Sequence, residues 1–472
     1  MRPTYEDLLL IIDDQRTIIA NQQLIIEKQQ AVIDNYQVIL TKVEARIIKL
    51  EQELLTYRNR KNSNNSHLSP SKDENRPLKN QSLRQKSENK VGGQPGHEGK
   101  TLEFSAKPDK IIKHSPSFCN YCGENLDLTT EVLVAKRQVV DIPPIQLECA
   151  EHQVYVKTCK CGCKTEGQFP AFVRSTVQYG PNVEAMVAYM HTRQYIPFNR
   201  MKEFFSDIMG LPVSEGGIHN ILKRITRKAL PFYLQIKERI KGSDSVGTDE
   251  TGVKVNGKKQ WFWTWQNAEL TFIAHSDSRG FKTIENNFEN GLPLSVLQHD
   301  RWPAHFQCVA KDHQICIAHL LRDLNFIVQL EKSQWATQLK TLLCEAIEFK
   351  KEMTAKDYCP NAIHRKAFEQ RLNELLLFQL TESEKKARTL QKKLLKNQLH
   401  ILTFLRYPKV PPDNNGSERA IRNVKVQQKI SGQFKSVDGA QGFAIIRSVI
   451  DTILKSGQNV MEAFGLIARL GY

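Results

Sequence analysis

Apolar residues recur every seventh position near the start of this chain, at Ile12, Ile19, Ile26, Ile33, Leu40, Ile47 and Leu54, with Ile11, Ile18, Ile25, Val32 and Ile39 beside them. The d positions begin at Leu8, are glutamine at Gln15, Gln22 and Gln29, and turn apolar at Tyr36, Val43 and Leu50. An unbroken heptad with isoleucine at a predicts a coiled-coil helix over residues 1–57 that associates with further copies. The competing arrangement is one amphipathic helix lying on its own globular body. The polar d positions leave strand number and orientation open.

The periodicity stops at Arg58. Residues 58–107 are dominated by Asn, Ser, Lys, Pro and Gly and cannot bury a core, so they read as a linker. Between Arg58 and Phe118 stand 13 Lys or Arg against 6 Asp or Glu, which suits either a tether that brushes phosphates or a merely solvated one. Helical patterns then cover 182–193, 199–209 and 215–228, broken at Pro197 and at Gly210-Leu-Pro212. After Gly242 the period changes to short strands at 245–248, 253–255, 260–266 and 270–275, with an Asn256-Gly257 hairpin turn. Trp261, Trp263 and Trp265 alternate to one face and suit sheet core or cover. A helix at 281–290 precedes a strand at 295–299. Helix formers fill most of 331–405, too long a stretch for a loop, so it reads as a helical insertion.

At 472 residues the chain exceeds what one core usually serves. A formal charge of +16 points to a polyanion, or to a basic soluble protein with no special partner. No apolar run reaches the roughly 20 residues of a membrane span, and no signal peptide is visible, so a cytoplasmic location with no membrane partner is expected. Of ten cysteines, six fall between Cys119 and Cys163. Cys119-Asn-Tyr-Cys122-Gly and Cys159-Lys-Cys161-Gly-Cys163, separated by strand-like runs at 136–144 and 153–157, have the short spacing and glycine turns of a zinc ribbon over 108–172. Cys159 with Cys161 is the preferred second pair because a glycine follows directly. Cys161 with Cys163 stays open, and Cys149 and His152 are outside candidates. Over 173–240, Ser214 caps a helix carrying Lys223, Arg224, Arg227 and Lys228, which resembles a helix-turn-helix; a plain helical connector is the alternative.

Three acids bear on chemistry. Asp249 ends the first strand of the 241–330 segment, Asp300 ends the strand at 295–299, and Glu418 in the 409–472 segment follows Asp413-Asn-Asn-Gly-Ser417 at the head of a basic helix carrying Arg419, Arg422 and Lys425. Antiparallel strands, a helix and a further strand, with acids on the first strand and on the one after the helix, is the order of an RNase H-like α/β fold. Two Mg²⁺ ions, replaceable by Mn²⁺, need such carboxylates to activate an oxygen nucleophile and relieve the leaving oxygen. Taken singly, each acid is equally an ordinary strand-end or helix-start residue. His319, in Cys316-Ile-Ala-His319-Leu-Leu-Arg322, is either a phosphate contact or structural, and Arg322 is a further DNA contact; His305 and His313 also fall near the second acid.

These residues resemble the bacterial DDE transposases of the insertion-sequence sixty-six type. The similarity is carried by Gly92-Gly-Gln-Pro-Gly-His97-Glu-Gly-Lys-Thr-Leu102, Thr248-Asp249-Glu250-Thr251, His299-Asp300-Arg301, Cys316-Ile-Ala-His319, Asp413-Asn414-Asn415-Gly-Ser-Glu418-Arg419 and Ile430-Ser-Gly-Gln-Phe-Lys435-Ser-Val-Asp-Gly439-Ala-Gln-Gly, beside the coiled coil and zinc ribbon. The resemblance implies an RNase H-like core with a helical insertion at 331–408, Mg²⁺ at Asp249, Asp300 and Glu418, structural Zn²⁺, action at terminal inverted repeats in the nucleoid, and accessory proteins encoded by the same element. Two departures stand out. The second knuckle is compressed to Cys-x-Cys, and Arg301 followed by Trp302 occupies a place where a small residue and an aromatic are more familiar. The expected function is metal-dependent DNA cleavage and strand transfer on element ends and target. A catalytically inactive DNA-binding regulator and a simple metal nuclease are the alternatives.

Overall fold

The computed structural model describes residues 4–58, 98–99, 101–359 and 362–471. Residues 92–97 of the Gly-Gln-Pro-Gly-His motif and most of the expected linker lie outside the described residues. Helix α1 (Tyr5–Arg58) is a single element of 54 residues. It opens on a reciprocal cap: the Thr4 amide donates to the Asp7 carboxylate at 2.9 Å and the Asp7 amide to the Thr4 hydroxyl at 3.3 Å. The heptad residues from Ile12 to Leu54 remain 48–62% exposed in the single chain. None of the described helices is long and apolar enough to cross a membrane.

The cysteine-rich stretch forms one short antiparallel hairpin, β1 (Val156–Thr158) with β2 (Lys164–Glu166). Residues 136–144, expected as a strand, are irregular instead. Gln138 meets the Ser105 backbone through its side-chain amide, at 2.7 and 2.8 Å, and Pro143-Pro144 denies a ladder its donors.

Helix α2 (Pro181–Ala188) runs into a π turn at Tyr189–Arg193. Helix α3 (Phe198–Met209) ends at Gly210, whose φ of 64° is left-handed. Helix α4 (Glu215–Lys241) is capped as expected, with the Gly217 amide donating to the Ser214 hydroxyl at 3.0 Å. It does not stop at Lys228 but continues through Pro231, because Ile225, Ala229, Ile236 and Ile240 carry a buried helical stripe past the proline.

Strands β3 (Ser245–Val255), β4 (Lys258–Gln266) and β5 (Thr271–Ser276) follow, then α5 (Phe281–Asn287), β6 (Leu292–His299), α6 (Pro303–Phe306) and β7 (Ala310–Ile315). Asn256 and Gly257, at φ 47° and 75°, make the tight turn of the first hairpin. The sheet order is β5-β4-β3-β6-β7, with β4 antiparallel to β5 and β6 parallel to both β3 and β7. Trp263 and Trp265 are fully buried and stack at 5.9 Å. Helices α7 (Ile317–Glu331), α8 (Gln334–Glu352), α9 (Ile363–Leu377) and α10 (Lys385–Lys396) close a second core around Leu320, Leu324, Trp335 and Leu342. Helices α11 (Asn415–Ser431), α12 (Val437–Lys455) and α13 (Val460–Arg469) complete the chain.

Two compact units result: Met1–Lys79, Gln235–Val253 and Lys258–Lys425 in one, and Asn80–Leu234, Lys254–Gly257 and Val426–Tyr472 in the other. In the second unit Glu184 is buried on α2, where Arg224 reaches it at 2.8 Å and Lys228 at 3.0 Å, and Lys228 also donates to the Ala468 carbonyl. One cation thus ties three helices. Lys228→Ala removes half the compensation of a buried carboxylate, and a destabilisation of about 3–5 kcal/mol is expected, measured as an earlier urea transition than that of the unsubstituted chain.

Candidate active site

The parallel register of β3 on β6 pairs Ser245 with Val296, Val246 with Leu297 and Gly247 with Gln298. Continued two residues, it sets Asp249 level with Asp300, the first residue beyond β6. The Asp249 carboxylate accepts the Glu250 amide at 2.9 Å. Asp300 accepts the Trp302 amide at 3.0 Å, closing a tight turn. Arg301, between them, has a φ of 76°, a left-handed conformation costly for a side chain of this size. Its guanidinium pairs with Asp323 on α7.

Glu418 lies in the first turn of α11, where the helix dipole favours a carboxylate. Its Oε1 is 3.2 Å from Arg322 Nη2 and 3.5 Å from His319 Nε2, and Oε2 is 3.6 Å from Arg422. Two glycines bring this helix start against the sheet. A Cβ on Gly247 would stand 2.5 Å from Asn414 Oδ1 and 2.7 Å from Ser417 Oγ, and one on Gly416 would overlap the Gln266 amide. In the space they leave, Asn414 Nδ2 donates to the Thr248 carbonyl at 2.6 Å, Ser417 donates to Asn414 Oδ1 at 2.6 Å, and the Asn414 amide points at Cys316 Sγ, 3.2 Å away. The Asn-Asn-Gly-Ser run is therefore a clamp that fixes Glu418 beside the strand of Asp249.

The electrostatics register this convergence. Burial, and then the carboxylates of Glu250, Asp300 and Glu418, push the Asp249 carboxyl well above its ordinary range. Glu250, next in the chain, is shifted the other way. Its side chain is 1% exposed, Arg279 holds Oε1 at 2.9 Å and His305 holds Oε2 at 3.0 Å, so its carboxyl is lowered despite burial, with His305 the larger influence and Arg279 next. His305 also lies 3.9 Å from Asp300, and Arg279 stacks 3.8 Å over the Trp302 ring. Sequence reasoning missed this bridge between the neighbours of the two acids. Its one local signal is a second carboxylate directly after Asp249, and its partners are distant in the chain. His299 on β6 and His313 on β7, in contact at 3.2 Å, are driven below their ordinary range by burial and then by neighbouring imidazoles, His305 first for His299 and His400 for His313, which falls to about 4.

A buried carboxylate with further carboxylates around it is the donor chemistry of a hard divalent cation. Among the described residues, however, no three or more His, Cys, Asp or Glu are gathered tightly enough to hold a metal ion. The same is true of the cysteines taken together. Within each knuckle the fit is better: Gly123 and Gly162 have φ of 76° and 85°, and their amides donate to the carbonyls of Cys119 and Cys159 at 2.9 Å. Backbone amides and the neighbouring thiol lower Cys119, and Cys161 is lowered by the Cys163 amide and by the thiols of both Cys159 and Cys163, favouring the thiolates that zinc takes. Of the expected DNA contacts, Lys223, Arg419 and Arg422 are exposed, whereas Arg224 is paired with Glu184 and Lys425 donates to the Gly252 carbonyl.

A family model described as Transposase IS66 family matches residues 176–442, and one described as zinc-finger binding domain of transposase IS66 matches residues 116–162. The second match takes in Cys119, Cys122, Cys159 and Cys161. No curated protein matches the chain.

Gly247→Ala is expected to force Asn414 or Ser417 aside and destabilise the chain by about 1–3 kcal/mol, read from urea unfolding. Asp249 makes the opposite prediction. Its carboxyl is raised on folding, so ionising it opposes the folded state: the penalty is absent below the ordinary carboxylate range and grows as pH rises through the folded-state value. In chelator, Asp249→Asn should melt later than the unsubstituted chain near neutral pH, by roughly 1 kcal/mol, and the difference should vanish in acid; thermal melts across a pH series check both.

Proposed function

The chain belongs to the Transposase IS66 family, and from that membership we propose that it binds the terminal inverted repeats of an insertion sequence and cuts and joins DNA strands at Asp249, Asp300 and Glu418. The observation that carries this reading is the strand register that sets Asp249 level with Asp300 while Asn414 ties the helix of Glu418 to the same strand, where burial and then Glu250, Asp300 and Glu418 push the Asp249 carboxyl up. Carboxylates kept in mutual repulsion, on two neighbouring strands and a helix start, are costly unless a cation relieves them.

Asp249, Asp300 and Glu418 would hold two Mg²⁺ ions, or Mn²⁺ in their place, which when bound activate the attacking oxygen and offset charge on the leaving one. The protein's own part is placement. Asp249 and Asp300 present oxygens from one level of the sheet, and Glu418 is steadied by Arg322 and His319. Glu250 is occupied by Arg279 and His305 and stays out of the triad. Arg419 and Arg422 face solvent beside Glu418 and suit phosphate oxygens. A sheet with an antiparallel hairpin on one side of β3 and parallel strands on the other supports an RNase H-like core, with residues 331–408 as its helical insertion.

The remaining parts have supporting roles. Self-association through α1 would cover its exposed heptad seam. The two cysteine knuckles would share one structural Zn²⁺. Helices α3 and α4 suit a helix-turn-helix, with Lys223 and Arg227 exposed one turn apart on α4. Element ends and target DNA are the substrates, and accessory proteins of the same element are expected partners.

Purified protein with Mg²⁺, labelled element ends and a target plasmid should give cleaved and joined products. Asp249→Asn, Asp300→Asn and Glu418→Gln should each lower both by at least about 1,000-fold while DNA retention in a mobility-shift assay persists. Joining retained by Asp249→Asn would remove it from the site.

A further inference from the structure

The twelve residues of α10 contain Lys385, Lys386, Arg388, Lys392, Lys393 and Lys396 and no acid. The five lysines are exposed, and among the described residues none of the six basic groups makes an ion pair. At about 100° per residue the lysines fall in an arc of about 120°, with Thr389 near its middle. Ala387, Leu390 and Leu394 occupy the opposite side and are spent on the buried cluster with Leu320 and Leu324. Glu382 is exposed in the turn before the helix, and two other acids at the helix start are engaged elsewhere. Glu331 accepts the Lys386 and Ala387 amides at 2.7 and 3.0 Å, and Glu384 bonds Ser333 and Thr381.

Such a helix repels itself. Arg388 with Lys392 and Lys392 with Lys396 are like charges one turn apart, and Lys385 and Lys386 sit at the end where the dipole disfavours cations. The dipole favours the last lysines of the helix but not the first. A solvated face would tolerate fewer lysines interspersed with glutamates, as on α8, where Lys351 pairs with Glu348.

The helix also has a direction. Its first amides sit on Glu331, the last residue of α7, while the chain just beyond its end is held by Gln314, which bonds the Ile401 carbonyl at 3.0 Å and the Phe404 amide at 2.6 Å. Gln314 stands three residues before α7 begins. Helix α10 therefore runs back along α7, from its far end toward the end that carries His319 and Arg322. From His319 to Glu331 is twelve residues of helix, about 18 Å, or roughly five base pairs of duplex.

We propose that the lysine ridge of α10 is a docking surface for the backbone of duplex DNA lying several base pairs from the reacting strand, gripping phosphates without reading bases. The proposal deepens the transposase reading and rests on it for the identity of the polyanion. Lysines on flexible stems suit phosphates as point charges. An anionic membrane is disfavoured because Ala387, Leu390 and Leu394 are already buried and the partly exposed Leu395 lies outside the lysine arc, and an acidic protein because the lysine arc offers no apolar anchor.

The test replaces Lys385, Lys386, Lys392, Lys393 and Lys396 by Gln in the full chain, a change nearly neutral for helix propensity. Binding to a random duplex and to a duplex carrying the element end is measured from low to high salt, with the five-fold Lys→Arg variant and Asp249→Asn alongside. The logarithmic salt slope should become shallower by about 0.9 for each phosphate that is no longer neutralised, about 2.7 to 4.5 for three to five, equally on both duplexes. Lys→Arg and Asp249→Asn should keep the original slope. If the Gln variant melts early, Lys392→Gln/Lys393→Gln/Lys396→Gln carries the same test with a change of about 2.7. A Gln variant with the original slope overturns the ridge and leaves the transposase reading standing. An unsubstituted chain with no salt-dependent duplex binding overturns both.

Discussion

Everything at the candidate site depends on how closely the start of α11 approaches β3. The chain places Gly247 on the strand, where a Cβ would strike the Asn414 and Ser417 side chains, and Gly416 on the helix, where one would strike the Gln266 side chain of β4. The Asn414 side-chain amide then donates to the strand one residue before Asp249. Separations along the chain of well over a hundred residues are thereby converted into a fixed local geometry. The buried amide is satisfied on both sides, which makes the joint specific as well as tight.

That joint forces acids together, and the surrounding cations determine which of them remain charged without relief. Glu250 is neutralised by a guanidinium and an imidazole, and Glu418 has Arg322 and His319 at one oxygen. Asp249 accepts the backbone amide of Glu250 and absorbs the repulsion of the other acids. The asymmetry separates a carboxylate built into the framework from carboxylates left available to a ligand.

The parts of this arrangement that are local were legible in the sequence. The helix that the heptad predicts for α1, the Ser214 cap, the Asn256-Gly257 turn and the glycine turns of the knuckles each follow from a few adjacent residues, and each is found. The level placement of Asp249 and Asp300 follows once two hydrophobic strands are recognised. What was not legible is non-local. Strand β7 is short and half polar, so its alternation carries no signal. Helix α4 passes Pro231 because tertiary burial outweighs a missing donor. Lys425 and Arg224, read as contacts for phosphate, are drawn to a carbonyl and a carboxylate that only folding brings near.

Arg301 gives this site a history as well as a shape. Its left-handed backbone is one that glycine adopts freely, and its guanidinium is tied to Asp323 across the turn that carries Asp300. With arginine in place, Asp323 is not freely exchangeable, because its loss would leave both the strain and a half-buried cation without a partner. With glycine in place, this one demand on position 323 would be lifted. The order in which these two positions change therefore matters, and each substitution is tolerable or harmful according to whether the other has already occurred.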